Sequence, residues 1–390
     1  MRMRVLVTDA RLGPSYIVMR SLYKKGIQIT AAGEKGRLNS VFYSKFCRDR
    51  ILYPSPDTNE EAFVKVMLKL AKKHDVLIPI HERAIVPISK RLEIFNKITK
   101  VPIPPYEILR IALDKAKTLN VAKSVGVPVP QTYFALDLSG IKRLSRTLTY
   151  PVVIKFRYEI FVSPPRYAYA YSPQELVAKY QIMHKKHEYP IIQEFVPGIG
   201  YGFFTLFNER SKPIAMFCHK RMREYPITGG PSTFCESVYE PTIIRYGLDI
   251  LKSIKWYGVA MIEFRFDHRD GKFKLMEINP RFWGSLPLAI ASGVDFPYLL
   301  CQMALGQSTK PYKSYKLNIK CRFLFNDSLA LIQALRERSN KFKYMWNFLK
   351  SFFESHVTYG DFSLEDPCPM AYSLASRITS KASCFRPRSV

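Results

Sequence analysis

LMEINPRFWGS, residues 275–285, reads as the end of a β-strand running into a polar turn. A strand presents residues two apart on one side, so Glu277, Asn279 and Arg281 project into one space. A carboxylate and an amide offer oxygen ligands to a hard divalent cation. A guanidinium offers a fork of donors to phosphate or carboxylate. Upstream, VAMIEFRFD (259–267) alternates as a second strand, and HRDG (268–271) reads as the turn between the two. Folded as a hairpin, the runs set Glu263 opposite Glu277, within about one residue of register. Like charges face to face destabilise a sheet. They stay together if a cation lies between them or one keeps its proton. The plainer alternative is two solvated glutamates on an exposed face; the Asn-Pro-Arg ending and the lysines below favour a metal.

Paired acids on adjacent strands, the second in the run Glu277-Ile278-Asn279-Pro280-Arg281, resemble the ATP-grasp superfamily. The nearest flavour is its carbamoyl-phosphate-synthase-like and carboxylate–amine ligase branch. The resemblance spans roughly residues 1–305 and is specific at 275–285. It implies that Glu263, Glu277 and Asn279 hold Mg2+, or Mn2+ in its place, between the phosphates of ATP. It also implies that Arg281 acts at the transferring phosphoryl group.

A chain of 390 residues exceeds one ordinary core, so two or three domains are expected. Its 47% hydrophobic content excludes a mainly disordered chain. No apolar run reaches membrane-spanning length, and the run in MRMRVLVTDA is too short for a signal peptide. The seven cysteines (47, 218, 235, 301, 321, 368 and 384) show no CxxC spacing and read as free thiols in a reducing cytoplasm. The net charge of +28 is spread along the chain: +11 over 1–110, +9 over 111–309 and +8 over 310–390. Spread charge favours small anionic substrates, and weak nucleic-acid or anionic-membrane contact, without identifying any of them. Small-molecule carboxylate and amine substrates are the expected partners; nucleic acid is disfavoured and a homodimer is admitted.

From the start, RVLVTD (4–9), a helical pattern ending at Gly26, and IQITAA (27–32) give a strand–loop–helix–strand opening. That is the start of a doubly wound α/β domain. It lacks GxGxxG, so no dinucleotide site is read. A helix over 60–74 and a strand over 75–80 continue the pattern. His81 and Glu82 follow a strand end, where ligands of open α/β sheets gather; they are candidate substrate contacts, with a plain surface loop preferred. VPIPPYEIL (101–109) is a proline-rich connection and the first boundary. In LDKAKTLNVAKSVGVPVPQTY (113–133) a helix ends near Gly126, and Pro128 and Pro130 force an extended exit. The resemblance makes Lys115 a phosphate contact.

Lys155 interrupts the apolar strand YPVVIKF (150–156). A charge inside such a run needs a partner, which ATP phosphates would supply; the matching lysine of the family binds the α- and β-phosphates. The family then uses a glycine-rich loop, but RYEIFVSPPRYAYAYSPQEL (157–176) has no glycine. Ser163, Pro164, Pro165 and Arg166 are the expected loop tip. YPIIQEFVPGIGYGFFTLF (189–207) reads as strand, turn, strand. By resemblance, Gln193, Glu194, Phe195 and Val196 form the hinge that meets adenine and ribose; an ordinary hairpin fits 198–202 equally well. HKRMREYPITGGPSTFCES (219–237) sets basic residues before a glycine loop, which suits carboxylate or phosphate. Lys220 and Arg221 are the catalytic candidates, and Arg223, Gly229, Gly230 and Ser232 the substrate contacts. The alternative is a solvated basic strand with a mobile loop. Residues 242–258 and 286–306 read as helical, and 376–390 as a frayed basic tail.

The expected fold is α/β and α+β. A Rossmann-like domain spans 1–110. A two-lobed ATP-grasp domain spans 111–306, with lobes of about 111–190 and 191–306. A C-terminal helical extension spans 307–390. The expected activity is Mg2+- and ATP-dependent ligation of a carboxylate to an amine through an acylphosphate, releasing ADP and phosphate. One alternative is a bicarbonate-using enzyme of the carbamoyl-phosphate-synthase or carboxylase type, against which the lack of a glutaminase, a biotinyl domain and a second synthetase half counts. The other is a non-catalytic nucleotide or nucleic-acid binder, motivated by the +28 charge and the glycine-free loop.

Overall fold

The computed structural model describes residues 2–11, 13–134, 137–158, 166–307, 314–361 and 363–375. Ser163, Pro164 and Pro165, Cys384 and the 376–390 tail lie outside the described residues. Strands β1 (Arg4–Val7), β2 (Gln28–Glu34), β3 (Asp49–Tyr53) and β4 (Val76–Ile78) form a parallel sheet in the order β3-β2-β1-β4. Val5, Leu6 and Val7 of the inner strand β1 are wholly buried. A strand covered on both faces reads as a continuous apolar run, as this one does. Helices Gly13–Lys24 and Glu60–Ala71 make crossovers, the second capped by Asn59, which accepts from the Ala62 N–H.

Strands β5 (Thr132–Tyr133), β6 (Val152–Lys155), β7 (Tyr167–Ala170) and β8 (Ile191–Glu194) form an antiparallel sheet, β5-β8-β6-β7. Helices Leu138–Ser145 and Pro173–Lys186 accompany it. It has a core of its own, including Ile141, Ile154, Leu176 and Ile192.

The third sheet has seven strands: β9 (Gly198–Phe207), β10 (Pro213–Glu224), β11 (Ser232–Ser237), β12 (Gly258–Asp267), β13 (Lys272–Asn279), β14 (Lys320–Arg322) and β15 (Val357–Tyr359). Their order is β13-β12-β9-β10-β11-β14-β15. β12 and β13 are the hairpin read from the sequence, with Gly271 at φ +68° in its turn, a conformation that costs glycine little.

The mixed α/β and α+β class is as expected, with four local corrections. Residues 189–207 are not a hairpin: β8 and β9 belong to different sheets, and residues 195–197 carry the chain between them. The proline-rich connection ends at Pro105, which opens a helix at Tyr106–Leu113. The segment 286–306 is two helices, Leu286–Ala291 and Phe296–Ala304, parted around Gly293 at φ +101°. The stretch after 306 is not helical alone, because β14 pairs with β11 and β15 with β14 in the large sheet.

The largest core joins the first sheet to the large one. Phe282 and Trp283 lie in it, each 1% exposed, with the Trp283 ring 4.4 Å from Phe204 and 5.1 Å from Phe296. Burying an aromatic side chain of this kind contributes about 2–3 kcal/mol. The 275–285 stretch therefore divides: its polar residues go to a cleft and its aromatics anchor them.

Candidate active site

The register of the hairpin pairs Glu263 with Glu277, and the next pair is Phe264 with Leu275. Met276 is the extra residue of a β-bulge, which bends the strand and re-aims its neighbours. The opposed carboxylates each meet a cation from elsewhere in the chain. Lys115 Nζ lies 2.6 Å from Glu277 Oε2, and Arg221 Nη2 lies 2.6 Å from Glu263 Oε2. Asn279 Nδ2 donates to Glu277 Oε1 at 3.0 Å, and Arg281 Nη2 donates to Asn279 Oδ1 at 3.1 Å. Arg281 Nε donates to Glu82 Oε1 at 2.6 Å, so the first sheet's domain sets the guanidinium's position. Glu277, Asn279 and Arg281 share a cleft of about 370 Å3 with Glu263, Lys115, Lys155, Arg166, Arg221 and Glu194.

Burial works to raise the Glu277 carboxyl, but Lys115, Asn279 and Lys155 outweigh it and hold the group well below the usual carboxylate range. Burial pushes Glu263 up; Arg221 pulls it down, and the charge of Glu277 adds to the rise. Two carboxylates and an amide are hard oxygen donors, and an under-compensated Glu263 is what a divalent cation suits. The residues present fit Mg2+ by that chemistry. Among the described residues, no three His, Cys, Asp or Glu side chains gather to hold a metal. A cation here would take further ligands from Asn279, phosphate oxygens and water.

Lys115 opens the helix Lys115–Ser124, whose N-cap is Asp114. Asp114 accepts from the Ala116 and Lys117 N–H groups, from Arg157 at 2.8 and 2.7 Å, and from the Tyr158 hydroxyl at 2.8 Å. The buried aspartate fixes the helix start, and so the direction of Lys115. Lys155 ends β6 and donates to Gln193 Oε1 at 2.9 Å. Glu194 accepts from the Gln131 N–H, Lys274 Nζ and Arg269 Nη2, at 3.0, 3.0 and 2.9 Å. Burial would raise its carboxyl, but these donors together lower it. Glu194 thus ties the small sheet to the β12–β13 hairpin across the hinge. Phe195 and Val196 line the cleft beside it.

The GIGYG run has a reason that its spacing alone did not reveal. A Cβ on Gly200 would lie 2.7 Å from both Arg221 Cδ and Glu224 Oε1. The bare backbone of β9 lets Arg221 of β10 reach across to Glu263 of β12. Gly229, at φ +136°, and Gly230 line the cleft opposite. Tyr169 donates to the Thr228 carbonyl at 2.7 Å and Tyr167 to the Gly229 carbonyl at 3.2 Å, closing the small sheet onto that loop.

Several expected residues, the buried Gln193 among them, lie outside the cleft lining. Lys220 is outside the cleft lining, since alternation along β10 turns it to the face opposite Arg221. Arg223 is bidentate on Asp327, at 2.7 Å twice, and bonds Ser351 Oγ at 3.1 Å. Ser232 Oγ is buried outside the cleft lining. His81 caps the helix Glu82–Ser89 and sits 3.4 Å from Glu82, behind Arg281. Sequence reasoning passed over Tyr167, Tyr169, Arg265 and Lys274, all of which act at or around the cleft. The period-two tyrosines in YAYAY were a readable sign of one strand face.

A family profile described as ATP-grasp in the biosynthetic pathway with Ter operon matches residues 220–323, which include the β12–β13 hairpin and Arg281. The D-aspartate ligase of Enterococcus faecium is 22% identical over 291 residues, which cover 68% of this chain and 68% of that protein. The chain is similar to ATP-grasp proteins over the stretch that carries the site. The chain is also 23% identical over 219 residues to the carbamoyl phosphate synthase large chain of Sulfurisphaera tokodaii, covering 54% of itself and 21% of that protein. It therefore spans about a fifth of that relative's length. Its fold is similar to the biotin carboxylase domain of Hydrogenobacter thermophilus 2-oxoglutarate carboxylase, solved with MgADP, ADP and bicarbonate. The TM-score is 0.65 at 19% identity, covering 82% of this chain and 73% of that one.

Proposed function

We propose that this chain is a Mg2+-dependent carbon–nitrogen ligase of the ATP-grasp family, joining a carboxylate to an amine through an acylphosphate and releasing ADP and phosphate. One observation carries the reading: Lys115, Lys155, Arg221 and Arg281 converge on the facing pair Glu263 and Glu277 in a single cleft between two sheets. Bound Mg2+ would offset charge on the β- and γ-phosphate oxygens, and Glu263, Glu277 and Asn279 are the residues that would hold it. Lys155 from the small sheet and Lys115 from the helix packed on β13 hold phosphate oxygens. Glu194, Phe195 and Val196, at the hinge, take the nucleobase end. Arg281, braced by Glu82 and Asn279, faces the γ-phosphoryl group and stabilises charge as it transfers. Arg221 and the Gly229–Gly230 backbone orient the acceptor carboxylate in line.

The domain division goes with this reading: 1–110 carries Glu82 to the site, 111–306 forms the ATP clamp, and 307–390 supports the large sheet. A cytoplasmic location is supported by the free thiols of Cys47, Cys218, Cys235, Cys301 and Cys321, all buried. The test is a phosphate-release screen of carboxylate and amino-acid pairs with ATP and Mg2+, with bicarbonate as a separate acceptor. With the right acid and no amine, hydroxylamine should trap a hydroxamate. Release that needs only bicarbonate would replace this reading with the carboxylating one.

A further inference from the structure

The helix Lys341–Lys350 and the turn after it take no part in the cleft. On a helical repeat, Phe342, Met345, Trp346, Leu349 and Phe353 fall on one side. They are 78, 38, 59, 47 and 90% exposed, and no residue of the helix is buried. The Phe342 and Trp346 rings stack at 6.5 Å, nearly coplanar at 8°. The other side is fastened down. The rings of Phe348 and Phe352 lie 4.3 and 3.8 Å from the Arg322 guanidinium, and Asp327 holds both Arg322 and Arg223. The apolar stripe is therefore presented outward by a fixed support, and a contiguous exposed stripe of this kind marks an interaction surface.

Charge decides what it meets. From Arg338 to Phe353 there are four basic side chains and no acidic one. By the same helical projection, Lys343 and Lys350 flank one edge of the stripe and Lys341 the other. We propose that this face docks flat on an anionic lipid bilayer. The aromatic stripe enters the boundary between headgroups and acyl chains, and the lysines meet headgroup phosphates. No described helix is long and apolar enough to cross a membrane, so the attachment is peripheral. A second copy would set this basic face against itself, in a chain already at +28.

The three tryptophans make the test direct. Trp256 and Trp283 are 0 and 1% exposed, so Trp346 alone reports from the surface. The full chain is titrated with phosphatidylcholine vesicles, and with vesicles in which half of that lipid is replaced by phosphatidylglycerol. The expected result is a blue shift and co-sedimentation with the anionic vesicles, at least about tenfold tighter than with the neutral ones and weakened by salt. The double variant Phe342→Glu, Phe353→Glu should lose co-sedimentation with the vesicles while keeping the urea-melt midpoint of the parent chain and its ADP release. The triple variant Lys341→Glu, Lys343→Glu, Lys350→Glu should lose only the preference for anionic lipid. Equal behaviour with both vesicles, no response to either, a response to single-stranded oligonucleotide alone, or a lipid-free dimer that buries Trp346 would each overturn the proposal.

Discussion

Glu277 serves three neighbours at once: it pairs with Lys115, accepts from Asn279 and faces Glu263. From the sequence, removing its charge relieves a repulsion, and stability should hold or rise. The structure reverses that expectation, because Lys115 is only 8% exposed and would lose its counter-ion. Glu277→Gln should lower unfolding stability by about 1–3 kcal/mol, since the part-buried Lys115 loses its 2.6 Å charge partner. It should also cut ADP release by about 10²-fold or more. Urea melts and steady-state assays on the same preparation check both; a variant with full turnover would remove Glu277 from the site. The carboxylate, amide and guanidinium were legible at this scale because a strand puts alternate residues together. The Lys115 partnership was not, because 162 residues separate the two. Nor did the net charge around Lys220 and Arg223 reveal that alternation and Asp327 take them elsewhere.

Strand β9 sets a second prediction. Its glycine at 200 leaves room for Arg221 to cross to Glu263. Gly200→Val places carbon where Arg221 lies, so it should cost about 1–3 kcal/mol by over-packing. Turnover should fall further than nucleotide affinity, because the displaced group is proposed to face the acceptor carboxylate. Calorimetric ATP binding beside ADP release separates the two effects; equal losses would contradict that role for Arg221. The hinge gives a pH prediction. Asp267, fully buried, is held far below its ordinary value first by Arg269 and then, against burial, by Lys274. A depressed carboxylate adds stability that is complete above the unfolded value of about 4 and is lost as pH falls below it. Asp267→Asn should therefore destabilise the fold by about 1–3 kcal/mol at neutral pH, Arg269 being half exposed, and by much less near pH 2. Urea melts at the two pH values check it. The β12–β13 hairpin was legible because alternation and a turn signal agree. The break between β8 and β9 was not: a strand–turn–strand pattern is the same whether the two strands pair or go to separate sheets.

Across the whole molecule, β1, β2 and β4 of the first sheet were readable from apolar runs and helix spacing, but β3 was not, and the large sheet was readable only in part. β14 and β15 are three residues each, too short for a period to show; β14 takes its place by pairing with β11, more than 80 residues away, and β15 by pairing with β14 in turn. The three sheets meet so that Glu82, Lys155 and the β12–β13 hairpin surround one cleft. The central claim is that this cleft transfers the γ-phosphoryl group of ATP to a carboxylate. Glu263 and Glu277 would hold cations that offset the charge of the phosphates during that transfer. The direct measurement is turnover of adenine-labelled ATP with an accepted acid and amine, with the nucleotide products separated by chromatography. The account predicts ADP, in equal amount to the phosphate released; AMP and pyrophosphate would contradict it, even with ATP bound in this cleft.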